Sequence, residues 1–183
     1  MARIADRWWI MLARGLTSFA FAGLLVLVSG WSSLRTLAVV FGIWALVDGI
    51  ESLALVVGVR RIRVGLYIGR GCLEIAVGAF ALALPSTSTF LLYTLVGAWA
   101  IGSGALEMAF ASRRWFVLPR ALGFMLIGAI SLAFGMFLVP FPLMGVATLR
   151  ALLVAFAIVS GIAAMIVGEK LHGPPGHAPP QPT

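Results

Sequence analysis

Charge is scarce in this sequence of 183 residues. Only 10% of the residues are Asp, Glu, Lys or Arg, whereas 62% are hydrophobic, and a soluble domain usually carries about 25% charged residues. A water-soluble fold of this size could not cover so much apolar surface, so we expect a lipid bilayer as the surrounding medium. The formal net charge of +7 does not indicate nucleic acid as a partner, because the basic residues form no continuous patch.

Residues typical of catalytic and metal sites are also nearly absent. The single Cys72 lies in an apolar run, which excludes an intrachain disulfide and predicts a buried, small hydrophobic side chain. His172 and His177 fall in a proline-rich C-terminal stretch without clustered cysteines or carboxylates, which makes a poor metal site. Neither a His-Glu-x-x-His motif nor a glycine-rich phosphate loop is present. We therefore expect a non-enzymatic protein that binds no cofactor and no metal.

Long apolar stretches dominate what remains. A helix rises ~1.5 Å per residue and needs ~20 residues to cross ~30 Å of hydrocarbon. Six stretches have this length: 8–29, 34–59, 64–84, 90–111, 116–139 and 144–167. Backbone polar groups in lipid must be satisfied within their own segment, which requires helices. The sequence therefore predicts an all-α membrane protein with six transmembrane helices.

An internal repeat organises these helices. Residues 42–52 return at 97–107 and 154–164 with small, aromatic and polar positions in register. The matched sets are Gly42/Gly97/Val154, Trp44/Trp99/Phe156, Ala45/Ala100/Ala157, Asp48/Ser103/Ser160 and Gly49/Gly104/Gly161. Such self-similarity predicts one supersecondary unit used three times, here as tandem helical hairpins at about 8–59, 64–111 and 116–168. Two-helix units preserve orientation, so the repeats are parallel. They form one transmembrane domain, 1–168, followed by a disordered, Pro-rich cytoplasmic tail, 169–183.

Basic residues are concentrated on one side of the predicted bundle. One side of the predicted bundle holds eleven of them: Arg3, Arg7, Arg14, Arg60, Arg61, Arg63, Arg70, Arg113, Arg114, Arg120 and Lys170. The other side has only Arg35 and Arg150. The positive-inside rule then predicts that both termini are cytoplasmic.

Small residues recur on one face of each even-numbered helix. The set is Gly42, Ala45, Gly49, Gly97, Ala100, Gly104, Ala157 and Gly161. In lipid, such faces let two backbones approach closely and gain dispersion contacts. They predict helix packing, and the partner helix could belong to the same chain, to a second copy or to another membrane protein.

Ionisable groups inside the predicted spans are costly and deserve a hypothesis. Four are acidic: Asp48, Glu51, Glu74 and Glu107. Three basic residues lie at similar depth: Arg14, Arg70 and Arg120. One interpretation is a layer of interhelical ion pairs that fixes hairpin register. The other is a proton or cation site, for which Asp48 is the best candidate because its matched positions, Ser103 and Ser160, could face a common axis.

The chain resembles the HdeD family of small bacterial inner-membrane proteins. The resemblance rests on motifs of Gly, Trp, Arg and Pro that cover nearly all of the chain up to Glu169. They are Trp8-Trp9 before Arg14-Gly15, then Gly23, then 47–50, then Arg70-Gly71 with Gly78 and Leu84-Pro85, and finally 97–101 before Gly104. Two departures are Gly30 where the family usually has proline, and a third unit without an acid matching Glu51 or Glu107.

This resemblance implies a six-span inner-membrane protein that supports resistance to acid or general envelope stress. The intramembrane carboxylates suggest an alternative from another class of function: a small channel or carrier for protons or a small solute.

Overall fold

A computed structural model describes residues 8–27, 33–54, 56, 64–85, 88–112, 118–141 and 144–172. Within these ranges the chain forms six α-helices, and we number them in chain order: α1 Trp8–Leu27, α2 Leu34–Ala54, α3 Val64–Ala83, α4 Thr89–Ser112, α5 Leu118–Leu138 and α6 Val146–His172. The predicted all-helical fold with six helices is thereby confirmed. The sixth helix continues through Glu169 to His172, so the first residues assigned to the tail are helical; residues 173–183 lie outside the described part.

Five of the helices are long and apolar enough to cross a membrane. Their apolar segments are Trp9–Leu27, Leu34–Ala54, Gly65–Ala83, Thr89–Ala109 and Val146–Glu169, and α5 contributes the shorter Met125–Leu138. The outer surface of the bundle is apolar as well, since Leu16, Leu27, Ile50 and Leu126 are each more than 60% exposed. Large exposed apolar surfaces mark contact with lipid or protein, so the fold indicates a multi-pass membrane protein.

Packing does not follow the hairpins of the sequence repeat. The most extensive contacts join α2 to α3, α4 to α5, and α6 back to α1, whereas the two helices of each sequence repeat touch less. Every helix nevertheless contacts both of its neighbours, so the six form a closed ring. The unit that repeats in sequence therefore differs from the unit that packs most closely.

Glycines explain which helix pairs approach most closely. A Cβ atom added to Gly78 would lie 2.8 Å from the carbonyl oxygen of Gly42, and one added to Gly135 would lie 2.7 Å from that of Gly97. Real side chains essentially never approach a backbone oxygen so closely. The small face of each even helix therefore meets a second glycine face on the next odd helix, which sequence reasoning did not identify.

The pair α6–α1 departs from this pattern at its outer end. Gly15 and Gly161 face each other, and a Cβ added to Gly15 would lie 3.1 Å from the Gly161 carbonyl oxygen. Nearer the outer end of this pair, Val154 occupies the repeat position that is Gly42 or Gly97 in the other two units. Gly23 has nothing within 4 Å of its Cβ position. The third helix pair is therefore less tightly joined than the other two at this end.

Gly145 precedes α6 with a φ of 88°, and its carbonyl oxygen accepts a hydrogen bond from the Tyr93 hydroxyl at 2.9 Å. Left-handed backbone costs an L-residue about 1–2 kcal/mol. We expect Gly145→Ala to lower the free energy of unfolding in detergent by about that amount, measured by chemical denaturation. Gly65→Ala is the control, because neither glycine has an atom within 4 Å of its Cβ position and only Gly145 has positive φ. Equal stability of both variants would contradict the expectation.

Cys72 differs from its prediction. The thiol is free and exposed on α3, because this part of the helix faces outward from the bundle while Gly71 and Glu74 face inward. An apolar run therefore did not distinguish the outer face of a helix from its buried face.

Candidate functional site: a buried charge cluster

Five charged side chains from four helices meet inside the bundle: Arg14 of α1, Asp48 of α2, Arg70 and Glu74 of α3, and Glu107 of α4. We call this set the charge cluster. The glycine that follows each arginine helps to bring these helices together. A Cβ on Gly71 would lie 3.0 Å from the Gly49 carbonyl oxygen, so α3 lies against α2 at this level and Arg70 turns towards the interior.

Arg70 contacts all three carboxylates of the charge cluster. Its Nε donates to Glu74 Oε1 at 2.7 Å, one helical turn away on α3. Its Nη2 donates to Asp48 Oδ2 at 3.3 Å, and its Nη1 donates to Glu107 Oε1. Arg70 is only 4% exposed. One guanidinium thus connects three helices through charge-assisted hydrogen bonds.

Arg14 repeats two of these contacts from the opposite side. Its Nε lies 3.0 Å from Asp48 Oδ1, and its Nη1 lies 2.8 Å from Glu107 Oε1. Asp48 and Glu107 are therefore each bridged by both guanidiniums. The second carboxylate oxygen of Glu74, Oε2, accepts a hydrogen bond from the Ser52 hydroxyl at 2.6 Å.

Glu51 makes its hydrogen bond outside the charge cluster. Glu51 is half-buried and its Oε2 lies 3.4 Å from the Thr17 hydroxyl. Arg120 lies in α5, but its side chain falls outside the described residues. Of the seven charged residues singled out in the sequence, the structure brings together Arg14, Asp48, Arg70, Glu74 and Glu107.

Burial makes this pairing energetically important. Glu74 is 0% exposed, Asp48 3% and Glu107 4%. Taking a charge out of water costs several kcal/mol unless a partner of opposite charge and hydrogen bonds compensate. Among the described residues the charge cluster has three carboxyl groups and two guanidiniums, so the positive charges do not balance the negative ones.

An aromatic layer lies beside the charge cluster, on the side away from the arginine-rich connections. We give this name to Phe41, Trp44, Trp99 and Phe156. The rings of Trp44 and Trp99 are 5.1 Å apart and those of Trp99 and Phe156 are 5.7 Å apart, both edge to face. Edge-to-face contacts are favourable for aromatic rings. Since Trp44, Trp99 and Phe156 are matched repeat positions, each unit contributes a ring to this layer, and the first unit adds Phe41.

Two small cavities lie on either side of Arg14 and Arg70, which border both. The inner cavity, towards the arginine-rich connections, is also lined by Met11, Tyr67 and Glu107. The central cavity lies between the guanidiniums and the aromatic layer. Each has a volume of about 10 Å³, which is roughly the space that one water molecule needs.

Matched repeat positions line the central cavity. The set comprises one polar residue from each unit: Asp48, Ser103 and Ser160. The serine hydroxyls donate to the carbonyl oxygens of Ala100 and Ala157, both at 3.3 Å. The three positions therefore border one space, and only the first unit supplies an acid there.

The odd helices carry a second matched series that sequence reasoning missed. Arg14-Gly15, Arg70-Gly71 and Ile127-Gly128 correspond, and four residues later so do Ser18, Glu74 and Ser131. All of these residues are buried or border the cavities. The members of this series are separated along the chain by nearly the same repeat length as the matched positions of the even helices. The same sequence comparison could therefore have revealed the series. It shows that the third unit lacks the arginine of the first two.

A closed ring of six helices built from tandem repeats around a buried ionic core defines a class of small helical membrane protein. The chain belongs to a family described as a short repeat of unknown function, DUF308, which matches residues 13–79 and 69–139. The two matches start one repeat length apart and confirm the internal repeat. No curated protein and no solved structure matches the chain.

Proposed function

We propose that the protein is a non-enzymatic, multi-pass protein of the bacterial inner membrane that supports survival under acid or general envelope stress. HdeD proteins belong to the DUF308 family, and the sequence motifs resemble theirs. The observation that carries the proposal is the charge cluster, in which the carboxylates are paired with Arg14 and Arg70. Such pairing suits a structural role more than substrate turnover.

The contacts within the charge cluster connect the four helices α1 to α4. Its contacts are directional, whereas the small-residue contacts between helices are mostly dispersion. Together they give a rigid bundle whose apolar outer surface faces lipid. We propose that both termini are cytoplasmic, since the arginine-rich connections favour that orientation. Partners, if the protein acts through others, are expected in the membrane: a second copy or another membrane protein that packs on the outer surface.

A channel or carrier for protons or a small solute is the second candidate. The cavities on either side of Arg14 and Arg70 favour it, whereas the aromatic layer opposes a continuous path. Purified protein in vesicles with an imposed pH gradient distinguishes the two functions. Reproducible proton or solute flux would favour the conduit, and its absence favours the structural role.

Survival of a deletion strain tests the proposed function. We expect cells without the gene to survive acid exposure less well, and a plasmid copy of the natural protein to restore survival. Arg70→Ala should fail to restore it, because the variant loses contacts to three carboxylates. Arg35→Ala is the matched control, since Arg35 is exposed at the opposite end of α2. Membrane blots give the amount of each variant. Equal survival with and without the gene, under acid and other envelope stresses, would contradict the proposal.

A further inference from the structure

The charge cluster has an unbalanced charge that the proposed structural role does not explain. Around Asp48, the neighbouring helices present Arg14 from α1, Arg70 and Glu74 from α3, and Glu107 from α4. The described residues of α5 and α6 that border the same space are uncharged: Ile127, Ser131, Phe156 and Ser160. On α2 itself, Glu51 adds a further acid nearby. Three buried carboxyl groups thus face two guanidiniums.

A bound proton would remove this imbalance. An uncompensated buried carboxylate is so costly that such groups usually become neutral instead. Binding one proton to one carboxylate gives a neutral carboxylic acid, and the charge cluster as a whole becomes neutral. This proton belongs among the three carboxyl groups of the charge cluster, where Oε2 of Glu107 is buried without a hydrogen-bond partner among the described residues.

The central cavity gives independent evidence of a bound polar ligand. Nε1 of Trp44 and Nε1 of Trp99 are buried and have no hydrogen-bond partner among the described residues, and both indoles line this cavity. Trp44 is 7% exposed and Trp99 2%. Buried donors are almost always satisfied by protein or by ordered water. The cavity has room for about one water molecule, which could accept from an indole and donate towards Asp48 or a serine.

The two sides of the charge cluster differ in what borders them. The inner cavity reaches Arg14, Arg70 and Glu107 from the arginine-rich end, whereas the aromatic layer covers the central cavity at the other end. On the first side the inner cavity has space for about one water molecule beside the guanidiniums, whereas on the second side the four packed aromatic rings offer no chain of polar groups.

We propose that the charge cluster and the central cavity form a hydrated proton-binding site, with one proton held among the carboxyl groups of Asp48, Glu74 and Glu107, one water molecule beneath the aromatic layer, and exchange only from the arginine-rich end. This goes beyond the proposed structural function. The site is tested by spectroscopy, so its failure would leave the survival experiment unaffected.

Infrared spectroscopy of the natural protein in dodecyl maltoside, a detergent without ester groups, tests the bound proton. At neutral pH we expect the C=O stretch of one protonated carboxyl group, which shifts in D₂O. Asp48→Asn and Glu74→Gln should each abolish the band, because the remaining charges balance. Glu169→Gln is the control, since Glu169 is exposed near the end of α6. No protonated carboxyl group in the natural protein, or a band that survives both cluster variants, would overturn the proposal.

A second test changes the number of positive charges in the charge cluster. A purely structural role does not predict the expected result. Arg14→Gln removes one positive charge, so the charge cluster should then bind a second proton and the band should double. Arg35→Gln should leave it unchanged. A band of unchanged size in a folded Arg14→Gln variant would show that balance of charge does not set the number of bound protons, and would overturn the proposal.

The water molecule and the direction of access have their own measurements. In protein with isotope-labelled tryptophan, we expect NMR cross-peaks between water and the indole N–H groups of Trp44 and Trp99, assigned with Trp44→Phe and Trp99→Phe. In oriented vesicles of ether-linked phospholipid, a step to high pH should remove the carboxyl band when applied at the arginine-rich end only. Absence of water contacts at both indoles, or equal response from both ends, would overturn the corresponding part of the site.

Discussion

Arg70→Ala is expected to lower the free energy of unfolding by about 3–5 kcal/mol, the usual cost of removing one partner from a buried ionic network. Arg70 donates to Glu74, Asp48 and Glu107. Its loss leaves three buried carboxyl groups with Arg14 as the only guanidinium that the described residues place among them. The measurement is equilibrium unfolding in mixed micelles, with Arg35→Ala as the control because Arg35 is exposed on the same bundle.

A double-variant cycle separates the ionic network from simple loss of packing. Asp48→Asn removes one of the unpaired charges, so Arg70→Ala combined with Asp48→Asn should be less destabilised than the sum of the single variants. The coupling arises because the arginine and the acid are in contact, with Nη2 3.3 Å from Oδ2. Strictly additive effects, or an Arg70→Ala variant as stable as Arg35→Ala, would show that the charge cluster does not stabilise the bundle.

Gly104→Ala is expected to destabilise the protein by about 1–3 kcal/mol, although alanine is the better helix former. Its Cβ would lie 2.7 Å from the Gly128 carbonyl oxygen and 2.7 Å from the Leu132 nitrogen. Both obstacles are backbone atoms, so no side-chain rotation can relieve the overlap and α4 must move away from α5. Glu107 lies one turn further along α4, so this movement would also stretch its contacts with Arg14 and Arg70.

Gly69→Ala is the matched control for that variant. Gly69 is exposed in the second turn of α3, and nothing lies within 4 Å of its Cβ position. The same chemical change should there be neutral or stabilising by up to about 1 kcal/mol through helix propensity. Thermal or chemical unfolding of both variants in one detergent gives the comparison. Similar behaviour of the two would mean that close backbone approach between α4 and α5 does not set their packing.

Much of the fold could be predicted from local chemistry. Lengths of about 20 apolar residues predicted the six helices, and the spacing of Trp44, Trp99 and Phe156 predicted the repeat. Helix ends were less certain, as α6 shows by continuing to His172. Apolarity also failed to orient a helix, since Cys72 is exposed. In lipid both faces of a helix can be apolar, so the pattern loses the contrast that marks the buried side of a soluble helix.

The candidate site could be predicted only as a set of residue types at similar depth. Asp48, Glu74 and Glu107 stood out because acids within spans are rare, and Arg14 and Arg70 stood out as their possible partners. Which acid meets which arginine depends on how far each helix is rotated and on which helices are neighbours. Spacing along one helix contains neither quantity, so the sequence favoured ion pairs and left a proton site open as the alternative.

The sequence by itself determined the helical class, the apolar surroundings and the threefold use of one unit, because each follows from hydrophobicity and periodicity along the chain. Only the tertiary structure decided that α2 packs on α3, α4 on α5 and α6 on α1. That pairing depends on contacts such as Gly42 with Gly78, whose backbones must meet from distant positions. It also decided that two arginines and three acids share one buried space, since burial and charge balance are properties of the assembled bundle.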